Sequence, residues 1–295
     1  MRVNPNPMPD MLAALNRSRQ ETLTALQEMS TGRRVNQPSD DPAAAALLVD
    51  NHDRTTFTAR YLQSLTSLQG QFETADSTLS SVVLALQRAL TLGVQGGNGT
   101  NSDNDRAAIA QELQGIQDQL VSLANTAFQG RYLFSGTRTD TVPFVKDNTV
   151  PSGVRYDGND AVNTVQVGEG YRLASNKPGS QLFIAPGRDM FQAMSGLIQA
   201  IQTNTGIDTA VGTLRVAFDY VSGQRVFYGN SMNQAQAQST YLGAVKLQLT
   251  QDENTLGASD IEAAASRLVN SQNATNATLA AIGRISQLSL FDYLK

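Results

Sequence analysis

The sequence predicts a mainly α fold: an elongated antiparallel coiled-coil or helical bundle formed by the N- and C-terminal segments, with a small inserted β-containing (α+β) domain. Three observations carry this. Apolar residues recur at alternating four- and three-residue steps in five segments, the mark of a helical seam. The stretch 136–186 breaks the pattern with Gly, Asn, Asp and Pro among short β-branched runs. Helical segments stand on both sides of that break, so each end can bury its seam only on the other end or on another chain.

The first seam is Met8, Leu12, Leu15, Arg19, Thr22, Leu26 and Met29. Pro5, Pro7 and Pro9 keep its helix from starting before about Pro9. A turn follows over 31–42. Asp41 precedes a proline, lies outside the α region and caps free N–H groups, and Pro42 suits the first helical position. The second helix, 42–92, places Leu48, Leu62, Val83 and Leu90 on one heptad position and Leu65, Phe72, Leu79 and Leu86 on the other. Asn51, Thr55, Thr58, Gln69 and Asp76 share that seam. Ser102 and Asp105 resemble a capping box with Asp in place of Glu or Gln, opening a helix with the seam Ile109, Leu113, Ile116, Leu120, Leu123 and Ala127.

Beyond it, Val154-Arg155-Tyr156, Asp157-Gly158 and the run 162–167 read as a hairpin or small sheet. A short amphipathic helix over 188–203 carries Phe191, Met194, Ile198 and Ile201. The clearest seam follows, with Ile207, Leu214, Val221, Tyr228, Ala235, Leu242, Leu249 and Leu256 recurring every seventh residue. The interleaved set, Val211, Phe218, Arg225, Met232, Ser239, Lys246 and Glu253, is apolar early and polar late. Gly212, Gly223, Gly229 and Gly243 weaken this helix by about 1 kcal/mol each and leave it open to a break near Gly229-Asn230. After Gly257, with Asp260 as cap, the last helix shows Ile261, Ala265, Leu268, Gln272, Thr275, Leu279 and Ile282.

This gives three expected domains: 1–40 with 258–295 as a terminal helical assembly domain, 41–135 with 205–257 as a coiled-coil bundle, and 136–204 as an outer β-containing insert. The insert is expected to project and to tolerate replacement by a short linker. Leu65, Phe72, Leu79, Leu214, Val221, Leu242 and Leu249 are the expected bundle core, and Asp40, Asp41 and Pro42 the turn and cap. Leu12, Leu15, Leu26, Met29, Leu268, Leu279, Ile282 and Phe291 are the expected assembly residues. Their seams hold too many polar positions to be completed within one chain, so both ends are expected to order fully only on assembly.

Composition excludes several classes. Charged residues are 16% of the 295, below the roughly 25% usual for soluble domains, with Gln, Asn, Ser and Thr in their place. The net charge is 22 − 26 = −4 with no basic cluster, against nucleic-acid binding. Cysteine is absent and His52 is the sole histidine, which rules out thiolate sites and paired imidazoles. No run approaches 18 apolar residues, so no membrane insertion is expected, and no secretory signal peptide is visible at the N-terminus. No phosphate loop or His-Glu-x-x-His motif occurs. Asp40-Asp41 reads as capping rather than as a catalytic pair, Asp103-Asn104-Asp105 as a helix cap rather than a calcium loop, and Arg33-Arg34 as a loop contact. No enzyme activity and no cofactor or metal are expected.

Met29-Ser30-Thr31-Gly32-Arg33-Arg34-Val35-Asn36-Gln37-Pro38-Ser39-Asp40-Asp41-Pro42 resembles the N-terminal signature of the flagellin superfamily. Its Ser-Asp-Asp-Pro ending, the block Gly130-Arg131-Tyr132-Leu133-Phe134-Ser135-Gly136 and the terminal Ser289-Leu290-Phe291-Asp292-Tyr293-Leu294 resemble the hook–filament junction branch more than flagellin itself. The resemblance implies a structural subunit of the bacterial flagellum, extracellular, exported by the flagellar secretion apparatus. It also implies as partners hook-associated protein 1, flagellin, copies of the same chain in the axial stack and an export chaperone. A filament subunit is the alternative.

Overall fold

The computed structural model describes the backbone of residues 8–293 and the side chains of residues 8–284. The fold is mainly α with small β elements. The order is α1 (Met8–Thr31), α2 (Pro42–Gly96), α3 (Asp103–Ala124), β1 (Ala127–Phe128), β2 (Arg131–Tyr132), β3 (Phe144–Lys146), β4 (Val154–Tyr156), β5 (Thr164–Gly168), β6 (Tyr171–Ala174), α4 (Gly179–Phe183), β7 (Ile184–Ala185), β8 (Arg188–Asp189), α5 (Met190–Thr203), α6 (Ile207–Gly257) and α7 (Ile261–Tyr293). The strands pair in sequence order as separate antiparallel hairpins, β1–β2, β3–β4, β5–β6 and β7–β8.

Local chemistry sets the starts of the long helices. The Asp41 carboxylate accepts the Ala44 N–H at 3.0 Å, and Pro42 opens α2. That bond, with the Arg34 guanidinium, holds the Asp41 carboxyl below its ordinary value. Ser102 and Asp105 form a reciprocal capping box at the start of α3.

The chain divides into two compact units, Met1–Phe57 with Val245–Lys295, and Thr58–Ala244. In the second unit, Leu65, Phe72, Leu79, Leu214 and Val221 are fully buried and Leu242 nearly so. Leu113 and Leu120 of α3 join the same core. Unlike the projecting insert expected from composition, 136–204 shares this core rather than standing apart. Met190, Phe191, Met194, Leu197 and Ile201 of α5 are fully buried. The Phe144 ring lies 5.6 Å from Phe183 and 5.3 Å from Phe191. Gly96 of α2 lets α5 come close: a Cβ there would sit 2.9 Å from Ile201. The compositional break thus marks a change of local structure without a change of core.

Helix α6 runs unbroken for 51 residues, through Gly229-Asn230. Tyr228 beside it is 1% exposed, with its ring 6.2 Å from Phe72 and 5.1 Å from Phe227. That packing outweighs the roughly 1 kcal/mol helix cost of a glycine.

In the first unit α1 packs on α7. Asn51 of α2 donates its amide to the Leu249 carbonyl of α6 at 2.7 Å. The seam of α1 is offset by one position from the expected one. Leu15, Ser18, Ala25 and Glu28 are its buried residues, while Leu12 and Leu26 stand 48% and 46% exposed. The expected frame would have put Arg19 inward; the observed frame turns it to solvent and brings small and hydroxyl side chains to the contact.

Candidate assembly surface

Two features of the first unit carry the candidate site. One is the loop between α1 and α2. Gly32 adopts φ +68°, a conformation that suits glycine at the end of a helix. From there the chain pairs with the α6–α7 turn. The Arg34 N–H donates to the Gly257 carbonyl at 2.8 Å and the Ser259 N–H to the Gly32 carbonyl at 2.9 Å, around an antiparallel bridge between Arg33 and Ala258. The Arg34 guanidinium reaches both the Asp41 carboxylate, at 3.0 Å, and the Leu256 carbonyl, at 2.9 Å. Arg33 meets Glu253 at 2.9 Å. Asp40 accepts the N–H groups of Asn36 and Gln37 at 3.0 and 2.8 Å, which folds the turn before Pro42. The signature stretch therefore ties the ends of α1 and α6 to the starts of α2 and α7.

The other feature is the α1–α7 seam, which is hydrogen-bonded. Ser18 Oγ donates to the Ser271 carbonyl at 2.7 Å. Thr22 and Ser271 share a hydroxyl contact at 2.9 Å, and Thr275 Oγ1 donates to Ser18 Oγ at 3.0 Å. Glu28, 3% exposed, accepts both prongs of the Arg267 guanidinium, one at 3.1 Å, and the Ser259 hydroxyl at 3.0 Å. Burying a carboxylate is costly unless it is paired and hydrogen-bonded, and Glu28 is both.

These polar groups share the inner face with Leu15, Ala25 and Ala264, and further apolar side chains lie outside. Leu12, Leu23 and Leu26 of α1 and Ile261, Val269 and Leu279 of α7 are exposed. Among the expected assembly residues, Leu15 is buried in the pair, Met29, Leu268 and Ile282 are half-buried along it, and Leu12, Leu26 and Leu279 face outward. The Phe291 side chain lies outside the described residues. Leu249 is buried in this first unit, apart from the other expected core residues. Sequence reasoning missed Ser18, Ala25, Glu28 and Leu23. A frame shifted by one, Met11-Leu15-Ser18-Thr22-Ala25-Met29, keeps the same four-and-three spacing and was the signal available. An outward apolar face over a satisfied polar seam is suited to burial against another chain.

The family profile described as the bacterial flagellin N-terminal helical region matches residues 6–139. Flagellar hook-associated protein 3 of Salmonella typhimurium is 34% identical over 205 residues, 69% of this chain and 63% of that protein's length. The Escherichia coli protein of the same name is 28% identical over 310 residues, covering 96% of each chain. B-type flagellin of Pseudomonas aeruginosa is 34% identical over 126 residues, 42% of this chain and 25% of its own. In fold, a putative flagellar hook-associated protein from Vibrio parahaemolyticus aligns over 73% of this chain and 98% of its own, at 24% identity and a TM-score of 0.67.

Proposed function

We infer the function from one premise: the chain belongs to the flagellin superfamily, in the family of flagellar hook-associated protein 3. It is a structural subunit of the bacterial flagellum that joins the hook to the filament. The observation that carries this is the likeness to the Escherichia coli hook-associated protein 3 over 96% of both chains, where the flagellin likeness ends at 42% of this one. The role is one of binding and load-bearing, with no catalytic step. In the axial stack, hook-associated protein 1 lies below, flagellin above and copies of this chain alongside. The subunit reaches that place through the flagellar secretion apparatus, with an export chaperone beforehand. The terminal helices are the assembly element, using Leu12, Leu26 and Leu279 on the outward face.

The test is genetic. Cells lacking the gene are expected to build hooks and to shed flagellin into the medium as monomer. The native gene restores attached filaments, whereas a Leu12→Asp, Leu26→Asp, Leu279→Asp triple variant, secreted at normal levels, does not. Attached filaments in the deletion strain would overturn the function. Full rescue by the triple variant would overturn the assembly face.

A further inference from the structure

The block Gly130–Gly136, singled out in the sequence, has no part in the assembly surface. It borders a cleft of about 810 Å³ in the second unit, between α2, the β1–β2 hairpin and β5. That volume falls within the range of clefts that hold small ligands.

The hairpin at its mouth is strained. Its two-residue turn holds Gln129 at φ +51° and Gly130 at φ +78°, and glutamine has no side-chain reason to favour that region. The other non-glycine residue with positive φ, Asn204, is an ordinary left-handed cap ending α5. The turn seats Phe128 against α2, where a Cβ on Gly70 would lie 3.2 Å from the ring, and it presents Gln129, Arg131 and Tyr132 to the cleft. Strain of this kind gathers at ligand sites, where surrounding structure holds it.

The lining is chemically one-sided. It contains hydroxyls, amides, two aromatic rings and one guanidinium, and no carboxylate. Arg88, Arg106, Arg155 and Arg225 of the same unit each pair with an acid. Arg131, like Arg172, Arg188 and Arg215, shows no acid partner among the described residues, and it is the one that lines the cleft. The side chains of Ser64, Ser67, Gln129 and Thr164 make no hydrogen bond within the chain, and Arg131, Ser67, Gln129 and Thr164 are exposed to solvent or to a ligand. Neutral donors and acceptors in this number match a hydroxyl-rich ligand. A planar guanidinium matches one carboxylate on it, and the Tyr132 ring offers a flat apolar wall to a sugar's C–H face.

We propose that this cleft binds an acidic saccharide, a uronic- or sialic-acid-type sugar whose carboxylate sits on Arg131. The inference stands apart from the junction role. The test is saturation-transfer NMR on the purified full-length chain, with tri-galacturonate and sialyl-lactose as acidic probes and maltotriose as the neutral one. At least one acidic sugar is expected to show saturable transfer that maltotriose lacks. Arg131→Gln is expected to weaken it about tenfold or more, the loss of a charge-assisted hydrogen bond. Arg188→Gln, at an arginine that stacks on Tyr220 and does not line the cleft, leaves it unchanged. Ser67→Trp, at an exposed position, fills the cleft and abolishes transfer while the circular dichroism spectrum stays native. Absence of transfer from both acidic sugars, equal transfer from maltotriose, or an Arg131→Gln variant that binds as the native chain does would each overturn the proposal.

Discussion

At the residue scale the polar anchors decide more than the leucines. Glu28 was invisible as a functional residue because an acid amid a helix reads as solvent-facing, yet it is buried and held by Arg267 and Ser259. Arg267→Met leaves its carboxylate with the serine alone. The expected cost is about 1–3 kcal/mol, read as earlier loss of α1–α7 in a urea titration, since a buried acceptor robbed of its donor keeps its desolvation penalty. Asp105 tests the capping box by pH. The Ser102 hydroxyl and backbone N–H hold its carboxyl below the ordinary value of 3.8. Its stabilising effect is thus complete above that value and is lost as pH falls through the depressed folded one. The stability gap between the native chain and Asp105→Ala is expected to stay constant from neutral pH down to about 4 and to close below it. A gap that widened in acid would contradict the sign.

At the element scale, how legible the sequence was depends on what surrounds each helix. The caps at Asp41 and Ser102 are local chemistry and were readable, as were the seven-residue recurrences of α6. The inner face of α1 was not, because two frames share the same spacing and the more apolar one loses. Its competitor gains hydrogen bonds from α7 that no local window contains. The ties from Arg34 to Leu256 and Gly257 were hidden likewise, by a separation of more than two hundred residues. Glycines in α6 offer a direct test of propensity against packing. A Cβ at Gly229 meets nothing within 4 Å, so Gly229→Ala is expected to stabilise by about 0.5–1 kcal/mol, measured by thermal melting. Leu214→Asp, in the fully buried seam of the same helix, is expected to cost more than about 3 kcal/mol by the same measurement.

At the scale of the whole molecule, the two units differ in what holds them. Thr58–Ala244 has a continuous apolar core to which 136–204 contributes Phe144, Phe183, Phe191 and Met194. Replacing 136–203 with a Gly/Ser linker would strip one wall from that core. The expected outcome is loss of cooperative unfolding and binding of a hydrophobic dye, the reverse of what composition alone suggests. The α1–α7 pair keeps several apolar residues outside instead. Limited trypsin digestion of the free chain is expected to cut at Arg17, Arg19 and Arg267, all exposed, before it cuts within 58–244. Equal rates would mean that the pair needs no neighbour to be stable.

The hydroxyl-lined seam of that pair has a calorimetric consequence. Exposure of apolar area raises the heat capacity of unfolding and exposure of polar area lowers it. Separating α1 from α7 uncovers serine and threonine hydroxyls, a carboxylate and peptide groups along with the apolar side chains of Leu15, Ala25 and Ala264. Its heat-capacity increment per residue therefore falls below the usual ~12–15 cal/mol/K, and its stability curve is flat. Burial of the outward leucines is the opposite case, entropic near room temperature and weakened by cold. Cooling should therefore loosen the subunit's hold on its neighbours while leaving its own helix pair almost indifferent to temperature.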